Sequence, residues 1–330
     1  MDTKNVIAAI SLSAAVIILY SLFFAPSPNE LKKIDEQKSS LSSEAPKLEE
    51  SEKIVELSRD KALKESNRVE FENQNIKGSI SLMGGTIDDL IFKNYTETLD
   101  GKNKITLLNP KKYSEGYFVE TGWVSSSKNI ELPNSNTNWK VEGNNKLTPG
   151  NPVILVWNNN QGISFKKKIK IDEKFLFSID QIITNQSEKS YDFYAYGQII
   201  RNKSPEVTNF YILHEGLIGV LNDQLVEKDY DDIEEKEFSQ KAETGWLGIT
   251  DKYWITTLIP EKNKEFRADF NFKNKFRANF IETKPLELES KGTVSSNVRV
   301  IVAAKEVDVI DNYAEKSNIS KFDLAIDWGF

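Results

Sequence analysis

The sequence predicts a mainly β protein, a β-sandwich or barrel, with one transmembrane helix before it and short helices at its end. Three observations support this fold class. An uncharged apolar run lies near the N-terminus, many short segments with period-two alternation follow it, and helical spacing returns only after residue 304. Turn residues separate the alternating segments at intervals of about 8–12 residues, the spacing typical of sandwiches and barrels.

The first element is the run of residues 6–24, which contains no charged side chain. As a helix it would extend about 28 Å, close to the thickness of the hydrocarbon core of a bilayer. A cleaved signal peptide is the alternative, but its apolar core would be shorter and would end at small residues, whereas this run ends in two phenylalanines. We therefore predict an uncleaved anchor, built on Val6, Ile10, Val16, Ile18, Leu22 and Phe24.

Residues 25–67 are polar, with mixed charge and several prolines and serines. Such a composition buries too little apolar surface to offset the entropy cost of ordering, so it predicts a flexible linker. Residues 48–63 have Glu and Lys at helical spacing, and a transient helix is an alternative there. From residue 68 the pattern alternates, and we predict strands at 86–95, 153–157, 163–171, 175–184, 191–200 and 293–303, with further strands between 245 and 282.

Composition excludes several functions. The net charge of −7 argues against a nucleic-acid partner, and the absence of cysteine excludes disulfides, thiol nucleophiles and cysteine zinc sites. His214 is the single histidine, and Glu215 beside it would face the opposite way on a strand. The acidic run at 229–237 lacks the glycine and spacing of a calcium loop. Residues 166–168 are three lysines, which strand alternation distributes over both faces of a solvated or edge strand. We predict no catalytic residue, cofactor or metal.

Four stretches, in order along the chain, are more specific than a general strand pattern. The chain opens with Met1-Asp2-Thr3-Lys4-Asn5 directly before the apolar run. Gly84-Gly85-Thr86-Ile87 leads towards Leu90 and Tyr95, and the chain ends in Phe322-Asp323-Leu324-Ala325-Ile326-Asp327-Trp328-Gly329-Phe330. The most specific is the segment Gly245-Trp246-Leu247-Gly248-Ile249-Thr250-Asp251-Lys252-Tyr253-Trp254, which continues to Ile259-Pro260. Together these stretches resemble the bacterial YidC membrane protein insertases of the YidC/Oxa1 family.

The resemblance implies a β-supersandwich similar to sugar-mutarotase folds. It divides the chain into a transmembrane anchor at 1–24, a linker at 25–67, a periplasmic β-sandwich domain at 68–304 and a helical tail at 305–330 that approaches a second transmembrane helix. Its motif residues with a structural role would be Gly84, Gly85, Gly245, Trp246, Tyr253 and Pro260. In the tail, Phe322, Ile326 and Trp328 are predicted to lie at the membrane interface; docking of this segment on the sheet is the alternative.

The resemblance also implies a function. Members of the family help to insert and fold inner-membrane proteins, alone or with the Sec translocon, so the implied partners are nascent membrane proteins, Sec components and the lipid bilayer. The family's insertase core, with an arginine in a polar groove between helices, would lie beyond residue 330, and Arg299 does not match it. Residues 302–305 depart from the Gly-Pro-Lys run usual at that place. We therefore expect an N-terminal part that lacks the insertase core.

Two other functions remain open from the sequence. A membrane-anchored carbohydrate- or peptide-binding sandwich would need an exposed aromatic face, drawn from Trp246, Tyr253 and Trp254. A mutarotase-like epimerase would need His214 to meet a carboxylate in a cleft.

Overall fold

A computed structural model describes residues 56–127, 129–205 and 213–327. The predicted anchor at 6–24, most of the predicted linker, and Trp328 lie outside these residues. Within the described part of the chain, no helix is both long and apolar enough to cross a bilayer.

The described residues form twenty strands and four short helical segments. The strands are β1 Arg68–Glu72, β2 Ile76–Ser81, β3 Thr86–Thr96, β4 Lys104–Leu108, β5 Tyr117–Ser125, β6 Lys140–Glu142, β7 Lys146–Leu147, β8 Val153–Asn158, β9 Ile163–Ile171, β10 Leu176–Asn185, β11 Tyr191–Arg201, β12 Gly216–Leu221, β13 Gln224–Asp229, β14 Phe238–Ala242, β15 Gly245–Thr250, β16 Trp254–Ile259, β17 Phe266–Phe272, β18 Phe276–Glu282, β19 Leu286–Leu288 and β20 Thr293–Ala304. The α-helices are α1 Arg59–Leu63, α2 Tyr230–Glu235 and α3 Val307–Lys316, and a 3₁₀ helix spans Phe322–Ala325.

The strands form two sheets, which confirms the sandwich and removes the barrel alternative. The larger sheet has the order β14-β17-β18-β11-β5-β3-β2-β1-β7, with β19 beside β11 and β4 beside β3. The smaller sheet has the order β13-β12-β15-β16-β20-β10-β9-β8-β6. One continuous apolar core lies between them, and Phe71 of β1 meets Phe177 of β10 there with ring centroids 5.1 Å apart. Nearly all neighbours are antiparallel; β1 and β7 run parallel.

Alternation explains which side chains enter this core. Along β9, Ile163, Phe165, Lys167, Ile169 and Ile171 are buried, while the residues that alternate with them are partly or fully exposed. The observed bounds of β9 are those predicted from the sequence. Strand β10 follows the same rule and pairs with β9 over nine residues. The period of two thus orients both strands with one face towards the larger sheet.

The linker prediction is wrong at its C-terminal end. Leu57 bridges to Tyr113, and α1 follows with Ala62 buried. Arg59 donates hydrogen bonds to Asn109 and to Asp89, with which it also forms an ion pair. These contacts to distant residues order a segment whose own composition would not order it.

The tail is helical, as predicted, but it docks on the sandwich. Val309, Ile310 and Tyr313 of α3 are buried, and Tyr313 donates to Asp172 and accepts the backbone N–H of Phe175. The 3₁₀ helix buries Phe322 completely. The structure therefore supports the docked alternative for Phe322, which has no exposed surface for a membrane in this conformation. Ile326 is half-buried.

Candidate functional site

The larger sheet opens between β3 and β5, and charged and polar side chains border this opening. The two strands pair at one position, Ile87 with Val119, and then diverge. A narrow cleft follows, lined by Glu120 and Tyr196 on one side and by the loop Pro133-Asn134-Ser135 on the other. About 10 Å³ of this cleft is wide enough for a water molecule, close to the smallest volume that holds one.

Lys167 closes the inner end of the cleft. It lies on the core-facing side of β9, is only 3% exposed, and reaches across the sandwich to β5. Its Nζ donates to the carbonyl of Thr121 at 2.7 Å and to that of Gly84 at 3.4 Å. Burial lowers the pKa of Lys167 to about 8, and the negative charge of Glu120 opposes this shift. The ammonium therefore supplies the donor that the diverging strand β3 does not.

Gly84 and Gly85 form the turn at the edge of this cleft. Both have positive φ, +75° and +64°, which favours glycine. A Cβ on Gly85 would lie 3.3 Å from Lys167 Nζ and 3.4 Å from Trp139 Nε1. The indole N–H of Trp139 is buried and has no hydrogen-bond partner, and Lys167 Nζ lies 5.0 Å from the centroid of this ring. Without a Cβ at Gly85, the Nζ of Lys167 and the indole N–H of Trp139 can both approach this turn.

The second predicted motif anchors the tail. Gly245 has φ +135°, and a Cβ there would lie 1.8 Å from the carbonyl oxygen of Val220. Trp246, which follows it, is fully buried, donates its indole N–H to the Ser320 carbonyl at 3.2 Å, and packs edge-on against Phe322 at 5.1 Å. The sharp approach of β15 to β12 therefore aims Trp246 at the 3₁₀ helix.

The remaining motif residues do not form an exposed aromatic face. Tyr253 is 60% exposed, but Trp254 stacks on Phe92 at 4.8 Å and Trp246 is in the core. Pro260 is buried directly after β16, where its missing N–H suits the end of a strand. Tyr253 and Trp254 touch edge-on at 6.4 Å, but the burial of Trp246 separates it from them, so the three rings named for carbohydrate or peptide binding do not share one exposed face.

His214 holds the start of β12 in place. Its ring nitrogens pair with Asp229 at 3.1 Å and with the Leu217 carbonyl at 3.2 Å, while its backbone N–H binds Asp327. Glu215 accepts the backbone N–H of Lys252. These hydrogen bonds give the side chains of His214 and Glu215 a structural role. Among the described residues, no group of three or more histidine, aspartate or glutamate side chains could hold a metal ion.

Comparison with known proteins decides the family. Residues 68–330 match the family model described as the YidC periplasmic domain. The chain belongs to the YidC family. Its whole length aligns at 55% identity with a membrane protein insertase YidC of Pelagibacter ubique and covers 60% of that protein. At 40% identity, 83% of the chain aligns with the YidC of Brucella melitensis and covers 46% of it. The chain thus spans roughly half to 60% of the length of these curated relatives.

The fold also resembles that of sugar enzymes. A galactose mutarotase related enzyme from Lactobacillus acidophilus superposes with a TM-score of 0.50 at 10% identity, covering 72% of this chain and 98% of the other. This similarity shows a shared architecture and confirms the predicted mutarotase-like β-supersandwich.

Within this YidC-family chain, the structure places the motif residues at two separate points. Gly84 borders the polar cleft and Gly85 follows it in the same turn, whereas Gly245 and Trp246 hold the tail. Sequence reasoning missed Lys167, which it grouped with the solvated lysines beside it. The available signal was its register, because Lys167 occupies the same strand face as Phe165 and Ile169.

Proposed function

We propose that this chain is the membrane-anchored, periplasmic part of a membrane protein insertase and chaperone. The observation that carries the proposal is the alignment of the whole chain with curated YidC insertases, together with the family match over 68–330. Insertion would then be the work of the part of the protein that the relatives have beyond this chain. Its chemistry is not bond formation: a polar groove in the membrane lowers the cost of moving a hydrophilic flank across lipid.

In this proposal the sandwich is an interaction platform facing the periplasm. Its partners are nascent inner-membrane proteins, the Sec translocon and the bilayer surface. Residues 6–24 tether the domain to the inner membrane as a single span. The docked tail supports this role, because Trp246 and Phe322 fix where the chain leaves the sandwich after the 3₁₀ helix.

The absence of cysteine from the chain gives a direct test of this topology. Leu99 is fully exposed, so Leu99→Cys provides one accessible thiol in the domain. In intact spheroplasts, a membrane-impermeant maleimide should label Leu99→Cys without lysis, whereas Asp2→Cys should react only after lysis. Labelling of Leu99→Cys only after lysis would place the domain in the cytoplasm and contradict the proposal.

Sec contact is tested separately. A photo-reactive amino acid at exposed positions of the sandwich, Leu99 and Tyr253, should give crosslinks to translocon subunits in cells. Crosslinks to translocating proteins alone, with none to Sec subunits, would remove Sec from the list of partners and leave the insertase proposal standing.

A further inference from the structure

Arg277 is a buried arginine to which the described part of the chain supplies no partner. It lies on β18, is 7% exposed, and makes no hydrogen bond or ion pair with any described residue. Its Nε is enclosed and unpaired. A guanidinium remains charged at every relevant pH and carries five N–H donors, so leaving it dry and unpaired costs stability. Such a residue indicates a missing oxygen ligand.

The register places Arg277 on the same face as Glu120, one of the residues that line the cleft. Glu120 of β5 lies opposite Gln198 of β11, and Arg277 pairs with Ile200, two residues further along β11. Because residues two apart on a strand share a face, Glu120, Gln198 and Arg277 share the outer face of the larger sheet. Glu120 and Tyr196 line the cleft, and the negative charge of Glu120 acts on Arg277.

The hydrogen bonds of this group are incomplete. Gln198 Nε2 donates to Glu120 Oε2 at 2.8 Å, yet Gln198 Oε1 is buried and accepts no hydrogen bond from any residue that the structure describes. The next polar residues on the same face are paired: Asp269 accepts from Arg267 at 3.0 Å and from Asn279 at 3.2 Å. The unpaired donors of Arg277 and the unpaired acceptor of Gln198 are therefore a local feature of this site.

Positive charge also exceeds negative charge here. Lys275 is half-buried two residues before Arg277; burial and the nearby charge of Lys111 lower its pKa to about 8, against the attraction of Glu120. Burial likewise lowers the pKa of Arg277, again against Glu120. Lys167 reaches the same region from the core. The charge of Asp88 also acts on Glu120, but Asp88 is paired with Arg68. Lys167, Lys275 and Arg277 thus act on Glu120, and none of them lies within ion-pair distance of it in the described residues.

We propose that Arg277, Lys275 and Gln198 bind a small oxyanion that also carries a hydroxyl group, on the outer face of the larger sheet beside Glu120. Arg277 would donate two parallel hydrogen bonds to the oxyanion, the geometry in which arginine binds carboxylate and phosphate. Lys275 would add charge, and Gln198 Oε1 would accept from the hydroxyl. Phosphate and a sugar acid such as glucuronate both have this combination. This site is independent of the insertion activity proposed above.

Calorimetric titration of the full chain in mild detergent tests the site and separates the two sources. The probes are inorganic phosphate and D-glucuronate. Sulfate is the control for phosphate because it lacks the hydroxyl group, and D-glucose is the control for glucuronate because it lacks the charge. We expect phosphate, glucuronate or both to bind, at least about tenfold more tightly than sulfate and glucose. Equal binding of glucose and glucuronate, or no binding of any oxyanion, would overturn the proposal.

Variants distinguish a ligand site from a structural arginine. Arg277→Met should weaken oxyanion binding at least about tenfold, and Arg277→Lys should fall between it and the wild type because it keeps the charge but loses the fork. Without ligand, Arg277→Met should raise the melting temperature by about 2–4 °C, since it removes an unpaired buried charge. Lys273→Met, an exposed lysine of the same hairpin, should change neither. A lower melting temperature for Arg277→Met with unchanged oxyanion binding would show that the arginine is structural.

Discussion

Lys167 leads to the sharpest stability prediction. Its pKa falls from 10.5 in the unfolded chain to about 8 in the folded chain, chiefly through burial. Between these values the unfolded chain holds a proton that the folded chain has lost, so the free energy of unfolding rises with pH across this window. At neutral pH the charged ammonium costs about 3 kcal/mol, and Lys167 alone raises the stability by about 2 kcal/mol between pH 7.5 and 9.5.

Lys167→Met should remove this rise. At pH 7.5 the substitution removes the cost of the buried charge but leaves the Thr121 carbonyl without its donor, which costs about 1–3 kcal/mol. The two effects nearly cancel there, so the variant should match the wild type at pH 7.5 and be less stable than it at pH 9.5. Lys168→Met, on the opposite face of β9, should keep the full rise.

Urea unfolding of the full chain in mild detergent, followed by tryptophan fluorescence at pH 7.5, 8.5 and 9.5, measures these differences. The series stops below pH 10 because burial raises the pKa values of Tyr117, Tyr196 and Tyr230 above those of unfolded tyrosine. Their effect has the opposite sign and would lower stability above pH 10. The pKa of Lys275 is also lowered, so this residue adds its own increase in unfolding free energy with pH to the wild type and to both variants. If Lys167→Met retains the whole wild-type slope, the reasoning about its burial is refuted.

Two further substitutions test packing and charge, each with a matched control. Gly245→Ala should lower the unfolding free energy by more than about 3 kcal/mol, because the added Cβ collides with backbone. Gly143→Ala, which is also at positive φ but has open space around it, should cost about 1–2 kcal/mol. Equal losses for the two variants in thermal unfolding would contradict the close approach at Gly245. Asp251→Ala should cost about 3–5 kcal/mol because it leaves the largely buried charge of Arg201 without its carboxylate partner at 2.6 Å, with the neutral Tyr230 hydroxyl at 3.1 Å remaining. Glu188→Ala breaks a fully exposed ion pair and should leave the melting temperature unchanged, and a comparable loss in both variants would count against the burial argument.

The strands could be predicted from the sequence because their signal is local. The run of alternating apolar residues in β9 specifies both its bounds and its buried face, and the turn after Asn158 separates it from β8. The docked tail was only half predicted. Helical spacing indicated α3, but the burial of Phe322 depends on Trp246, which lies some seventy residues earlier.

The cleft and the oxyanion site could not be predicted, because they combine residues from strands far apart in the chain. Glu120, Gln198 and Arg277 come from β5, β11 and β18, and only the strand order brings them to one face. The order of the segment from Leu57 to α1 has the same origin, since Arg59 pairs with Asp89 of β3. Periodicity reports which way a side chain faces on its own strand, and it carries no information about which strand becomes its neighbour.

The most direct test of the insertase proposal is a rescue experiment. Cells depleted of their own YidC would receive either the 330-residue chain or the natural coding sequence continued beyond codon 330, and membrane insertion of a dependent protein would be followed by protease protection. The proposal predicts that the continued coding sequence restores insertion and that the 330-residue chain does not. Restoration by the 330-residue chain alone, or failure of the continued sequence at normal expression, would contradict it.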